Sequence, residues 1–211
     1  MQVLIGAGLL LIVLGLFTLF SYKAPHGMKA MGALAGAACA SFLVEAFHSS
    51  FFGNVLNIEF LKKVGDANGS LGGVAAAILV PLALGVSPVY SVLIGLSCSG
   101  LGILPGFIAG YLMSFVVKFL EEKLPSGLDL IVIIVVATPL TRIIGDFTAP
   151  VVDSTLLKIG QVLIASANSN PITMGIILGG IITVVATAPL SSMALTAMLG
   201  LTGAPMAIGA L

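Results

Sequence analysis

The run from Leu128 to Ile144 constrains the fold more than any other stretch. It is apolar enough to cross a membrane, yet it contains Thr138-Pro139 and Arg142, the only arginine in 211 residues. A charged side chain at a bilayer centre costs about 2.5–3.5 kcal/mol on insertion scales, so Arg142 must sit near an interface, be paired, or face water. Asp146 is the natural partner, because a spacing of four on a continued helix brings both heads to one face. Pro139 removes a backbone donor and strands the carbonyl four residues earlier, which hydrocarbon tolerates only where protein or cavity water supplies a partner. The expectation is a helix broken at Thr138-Pro139, lining a cavity, with Arg142 and Asp146 paired beside the break. An interfacial salt bridge is the competing reading of that pair.

Composition sets the fold class. Charged residues make up 8% of the chain and hydrophobic ones 59%, with a mean hydropathy of +1.23, against roughly 25% charged in an ordinary soluble domain. So little polar surface predicts an all-α, polytopic transmembrane helix bundle with broken or re-entrant helices, read as a single domain over residues 1–211. The lipid bilayer is therefore a partner. Eight basic and eight acidic residues cancel, and with no basic patch a nucleic-acid partner is not expected.

Chemistry-bearing motifs are scarce. Cys39 and Cys98 stand far apart in apolar surroundings and fit free thiols, with no metal-ligand spacing around either. No phosphate-binding GxxxxGK[ST] loop, dinucleotide fingerprint, HExxH or paired CxxC occurs in the sequence. Neither independent catalysis nor a metal or cofactor is expected. A solute pathway is the default function for glycine-broken helices that hold a few buried polar groups.

Along the chain, Val3 to Phe20 reads as a retained first helix, since no small-residue cleavage site follows its apolar core. Met28 to Phe52 carries Gly32, Ala33, Ala35, Gly36, Ala37, Ala38 and Ala40, a small surface suited to close helix packing. Near its end Glu45 and His48 share a face. They read either as hydrogen-bonding groups in a solute pathway or as an interfacial pair beside Phe47, Phe51 and Phe52. Asn54 to Ser70 is the most polar stretch and predicts a short amphipathic surface helix, a solvated connector with a flexible glycine-containing turn. Leu71 to Leu120 is cut by Pro81, Gly85, Pro88, Gly95, Gly100, Gly102, Pro105 and Gly106, which predicts two or three short or broken helices, some re-entrant. Lys118 to Pro125 reads as an aqueous turn. Thr148 to Asn168 is too polar for a lipid-facing helix, and Pro171 to Leu211 is apolar with interruptions at Ala188-Pro189 and Ala204-Pro205. Positive-inside counting places Lys23, Lys29, Lys118 and Lys123 on one cytoplasmic face. The segment Val135 to Thr141 is echoed by Val184 to Ser191 with one residue inserted, either by chance or as the paired interruptions of a repeat-built transporter.

The punctuation of the middle third has a counterpart among known families. Gly102-Ile103-Leu104-Pro105-Gly106-Phe107-Ile108-Ala109-Gly110-Tyr111, then Val117-Lys118, Leu124-Pro125 and an Ile/Val-rich run ending in Pro139, resembles the membrane IIC subunit of fructose-type sugar phosphotransferase systems. Ile176 to Leu211 is similar to the IIC-like branch named for the perfringolysin O regulator. The resemblance covers most of residues 28–211 and implies a permease component of the bacterial cell membrane. Such a subunit binds a carbohydrate and presents it to separate IIA and IIB phosphocarrier proteins, and it would act as a homodimer. Two departures accompany it. Where fructose-type subunits have a Gly-Gly-Pro-Val-Asn-Lys-like turn, this chain has Thr187-Ala188-Pro189-Leu190-Ser191-Ser192, so the proline aligns while the amide and lysine do not. The family's subunits are also longer, which implies a fragment or half-module of a longer permease as one reading of the chain.

The substrate-binding candidates are Glu45, His48, Arg142, Asp146, Thr187, Ser191 and Ser192. The hydroxyls at the second proline interruption can hydrogen-bond a sugar, or can bond back to their own helix carbonyls. Two other functions stay open: a membrane sensor that keeps the permease fold without transport, and a structural subunit with no ligand.

Overall fold

The structure, a computed structural model, describes residues 2–152, and every regular element among them is helical. The chain divides into two compact units, Met1–Ala35 with Val152–Leu211, and Gly36–Val151. In the first, α1 (Gln2–Lys23) is the expected leading helix. A tight turn links it to α2 (Gly27–Ala38), with Gly27 N–H donating to the Ala24 carbonyl at 3.0 Å. No side chain fits at Gly27, because a Cβ there would overlap the Phe20 carbonyl.

In the second unit, α2 runs on through two π-helical segments, Cys39–Leu43 and Ala46–Val55, as one apolar span from Gly27 to Val55. The polar stretch that follows forms the expected short amphipathic helix, α3 (Glu59–Gly69), largely exposed but with one face folded back antiparallel onto the Ala46–Val55 segment. Three glycines set this contact: Gly53 lies against Lys62, Gly65 against Ser49, and Gly69 against the Glu45 side chain. Ser49 Oγ donates to the Asp66 carboxylate at 2.5 Å across the seam. The polar residues of α3 are thus divided between a packed face and an exposed Glu59–Lys63 ion pair at 3.1 Å, a kind of surface contact worth only about 0.3–0.5 kcal/mol.

At Ser70-Leu71 the chain bends by 51° into α4 (Gly72–Leu84), so α3 and α4 together have the form of a broken span or a re-entrant loop. Gly85 stops α4 in the left-handed conformation, φ +91°, which only glycine adopts without strain. Pro88 then opens α5 (Pro88–Ser97) in the first turn, where a missing N–H is harmless. A turn through Cys98–Gly102 leads to α6 (Ile103–Lys123). α4 and α5 match the short helices expected between Leu71 and Leu120, whereas α6 runs unbroken through Pro105, Gly106 and Gly110 as a full-length span. The charged residues from Lys118 onward belong to the last turns of α6 and not to a loop.

Helices α4 and α6 pack in parallel. Gly73 and Ala77 face Gly106 and Gly110, two small-xxx-small stripes laid against each other. A Cβ at Gly106 would overlap the Gly73 carbonyl, and one at Gly110 would lie 2.8 Å from the Ala77 Cα. Gly95 gives α5 a similar close approach to Ile78 of α4. Around these seams Ala77, Ile94, Cys98, Leu101, Ala109, Met113, Val117, Ile133 and Ala137 form a continuous buried core.

The last described element corrects the opening expectation. α7 (Leu128–Val132) passes through a π-helical turn, Ile133–Ala137, directly into α8 (Thr138–Val152), and the whole forms one uninterrupted apolar span. Thr138-Pro139 does not break it. The wider π turn lies immediately before the proline, whose ring would otherwise strike the carbonyl four residues back. Two hydroxyls supply partners for carbonyls of that turn: Thr138 Oγ1 donates to Ile134 at 2.5 Å and Thr141 Oγ1 to Ala137 at 2.7 Å. Neither is the carbonyl that Pro139 strands, which is that of Val135.

Candidate functional site

Backbone interruptions do exist in the second unit, at two places that meet. The N-terminal glycines of α4 abut the α5–α6 turn, since a Cβ at Gly73 would overlap the Leu101 carbonyl and lie 2.7 Å from the Gly102 carbonyl. On one side Ser41 Oγ would be 3.2 Å from a Cβ at Gly72, and on the other the Leu101 side chain fills the space over Gly145 of α8. The bend at Ser70-Leu71 and the turn Cys98–Gly102 therefore occupy one level, crossed by the π-helical Cys39–Leu43 and by α8.

The depth of this level follows from helix lengths. At the other end of α5, Ser87 N–H donates to Glu121 at 3.2 Å, Tyr90 O–H donates to Asp129 at 2.6 Å, and Lys118 Nζ donates to the Leu84 carbonyl at 3.5 Å. This charged end belongs at the water. From there α5 has ten residues, about 15 Å at 1.5 Å per residue, against a hydrocarbon core of about 30 Å. α6, which leads from the same turn back to the charged end, has 21 residues, about 31 Å, so along α6 the turn lies up to a full core thickness from that end. Non-helical backbone inside the hydrocarbon persists only where protein buries it or a wet cavity adjoins it.

Arg142 reaches this turn. Its Nη1 donates to the Ser99 carbonyl at 2.6 Å while Nε donates to Asp146 at 3.0 Å. The guanidinium lies at the carboxyl end of α5, where the helix dipole favours a cation. The expected pairing with Asp146 is present as an i,i+4 ion pair, with 45% and 53% of the two side chains exposed. What the sequence did not disclose is the Ser99 carbonyl, 43 residues away in the chain. The glycines on either side of Leu101 were the only available signal.

Glu45 lies at the same level on the neighbouring span. Between the two π-helical segments, its half-buried carboxylate sits directly over Gly69 at the end of α3. His48 is three residues on, its Nδ1–H donating to the Val44 carbonyl at 3.1 Å and its ring tilted against Phe52 at 6.0 Å. Glu45 thus faces the break between α3 and α4, whereas His48 is tied to its own helix and the adjoining aromatic residues. Thr187, Ser191 and Ser192, together with the echo Val184 to Ser191, lie outside the described residues. Among the described residues no group of His, Cys, Asp and Glu is arranged to hold a metal ion.

Three helices are long and apolar enough to cross a membrane, and the bent pair α3–α4 makes a fourth candidate span. With interrupted backbone beside Glu45 and Arg142, these features define a membrane-embedded helical bundle with broken elements. A family model described as "Phosphotransferase system, EIIC" matches residues 28–211, and the chain belongs to that family. Membership implies a carbohydrate substrate and phosphocarrier partners of the IIA and IIB kinds. No curated protein and no solved structure matches the chain.

Proposed function

We propose that residues 1–211 work as one IIC-like domain of the fructose type, closest to the perfringolysin O regulator-like branch, in a bacterial cell membrane. The domain binds a carbohydrate and carries it to a separate phosphorylated IIB protein, and it does so as a homodimer. The observation that supports translocation is the level at which the Ser70-Leu71 bend and the Cys98–Gly102 turn abut. Backbone polar groups there lie outside regular helix, and a pathway for a hydroxyl-rich solute is an environment that would accommodate them.

In this reading Glu45 contributes a carboxylate acceptor at the α3–α4 break and His48 a neighbouring donor. Arg142 and Asp146 border the pathway at the α5–α6 turn. Thr187, Ser191 and Ser192 supply hydroxyls from the second interruption.

The test is sugar uptake into membrane vesicles carrying the full chain, with and without phosphoenolpyruvate, IIA and IIB, alongside sugar binding by purified protein. Uptake that depends on phosphoenolpyruvate and falls at least tenfold in Glu45→Gln is the expected result. Binding without such uptake would replace the permease by a sensor. If Glu45→Gln and His48→Ala leave both binding and uptake unchanged, the assignment of those residues is wrong.

A further inference from the structure

The Cys98–Gly102 turn is the one place in the second unit where a guanidinium holds a stretch of non-helical backbone. Arg142 Nη1 donates to the Ser99 carbonyl at 2.6 Å, while Asp146 fixes the same guanidinium through Nε at 3.0 Å. The fork geometry of arginine allows both bonds at once, which a lysine ammonium on a flexible stem cannot reproduce. Inside the turn the local bonds are Ser99 N–H to Leu96 at 3.2 Å and Leu101 N–H to Cys98 at 3.1 Å. Between them Gly100 has φ +77° and no atom within 4 Å of a notional Cβ, so it has both the backbone freedom and the space to swing.

We infer that Arg142 and Asp146 form a latch that clamps the α5–α6 turn against α8, and that release of the latch lets the turn pivot at Gly100 and open the interior beneath it. Two side chains move when it pivots. Leu101 leaves the space over Gly145, and Cys98, which has no exposed surface, loses the cover of the turn that follows it. Arg142 is in this sense a positioning residue that acts through the backbone of the turn. The meaning of opening rests on the permease reading, but the latch itself does not.

Cys98 supplies a reporter independent of transport. With the exposed Cys39 replaced in a Cys39→Ser background, the rate of maleimide labelling of Cys98 in full-length protein in detergent measures how often the turn opens. Arg142→Ala is expected to raise that rate at least tenfold. Arg142→Lys should give a smaller rise, and Asp146→Asn a smaller one still, because the Ser99 bond persists. Ile143→Ala, one residue away on an exposed face, should leave the rate within twofold.

A second variant approaches from the turn itself. Gly100→Ala touches no neighbour but disfavours the left-handed backbone of the closed turn, and should raise labelling several-fold with Arg142 intact. The latch is overturned if Arg142→Ala remains folded by circular dichroism yet labels like its parent, or if Ile143→Ala labels as fast as Arg142→Ala. Should Arg142→Ala fail to fold, Gly100→Ala decides: parental labelling in that variant refutes the pivot. Faster labelling with no phosphoenolpyruvate-dependent uptake in any variant would keep the latch and remove the permease reading.

Discussion

Replacing Gly106 with alanine tests the seam that brings the two interruptions to one level. A helix interior favours alanine over glycine by up to about 1 kcal/mol, so on propensity alone the change should stabilise. The structure opposes this. A Cβ at Gly106 would overlap the Gly73 carbonyl oxygen and lie 2.7 Å from both the Gly73 carbonyl carbon and Cα. Carbon atoms prefer about 3.5–4.0 Å, so α4 and α6 would have to separate by on the order of 1 Å, with loss of dispersion along the stripe. Such overpacking costs about 1–3 kcal/mol. It outweighs the propensity gain, and the expected net loss is about 1 kcal/mol or more. Purified protein in mild detergent, unfolded by dodecyl sulfate and followed by far-ultraviolet circular dichroism, gives the difference. Gly32→Ala is the matched control, since nothing lies within 4 Å of its notional Cβ, and it should be neutral or stabilising. If Gly106→Ala proves no less stable than Gly32→Ala, the close parallel packing of α4 and α6 is wrong.

Four other substitutions follow from the same geometry. Gly69→Ala would push its methyl into the Glu45 carboxylate, the mobile end of a side chain, so unfolding should barely change while sugar binding weakens as in Glu45→Gln. Thr141→Val removes the fully buried hydroxyl bonded to Ala137 and should lower stability by about 1 kcal/mol in the same titration. Pro139→Ala should be neutral or stabilising, by well under the roughly 3 kcal/mol of an uncompensated mid-helix proline, because the π turn already relieves it. Ser49→Ala breaks the bond to Asp66 and should destabilise by about 1 kcal/mol, read in the unfolding midpoint.

The helical membrane class was legible in the sequence because it follows from hydropathy and from glycine and proline punctuation. The leading helix, the span ending at Val55, the short elements between Gly72 and Lys123 and the Arg142–Asp146 pairing all carry local signals. What was not legible depends on partners distant in the chain. Glu59 to Gly69 looks like a surface helix when taken alone. Only beside the Ala46–Val55 segment do Gly65 and Gly69 become the surface that admits Ser49 and Glu45. Gly106-x-x-x-Gly110 has the spacing of a packing motif, but nothing local says that Gly73 and Ala77 of a parallel helix lie opposite. The same holds for Arg142, whose ion-pair partner could be counted off along a helix while the Ser99 carbonyl could not.

The misplaced break has a more general cause. Proline removes one donor and crowds one carbonyl, and a helix can absorb both with a single wide turn, as at Ile133–Ala137. Pro81 and Pro150 likewise lie inside helices, while Pro88 and Pro105 occupy first turns, where no intrahelical donor is lost. The interruptions fall instead where glycines cluster: Gly69, Gly72 and Gly73 around one, of which Gly73 admits another backbone, and Gly100 and Gly102 in the other, where Gly100 takes φ +77°. Close approach and interruption are therefore coupled here. Gly73 admits the carbonyls of Leu101 and Gly102 only because it has no side chain, and that contact brings the two interruptions together. Glycine clustering thus locates the candidate pathway, and the prolines mark how the helices around it are kept whole.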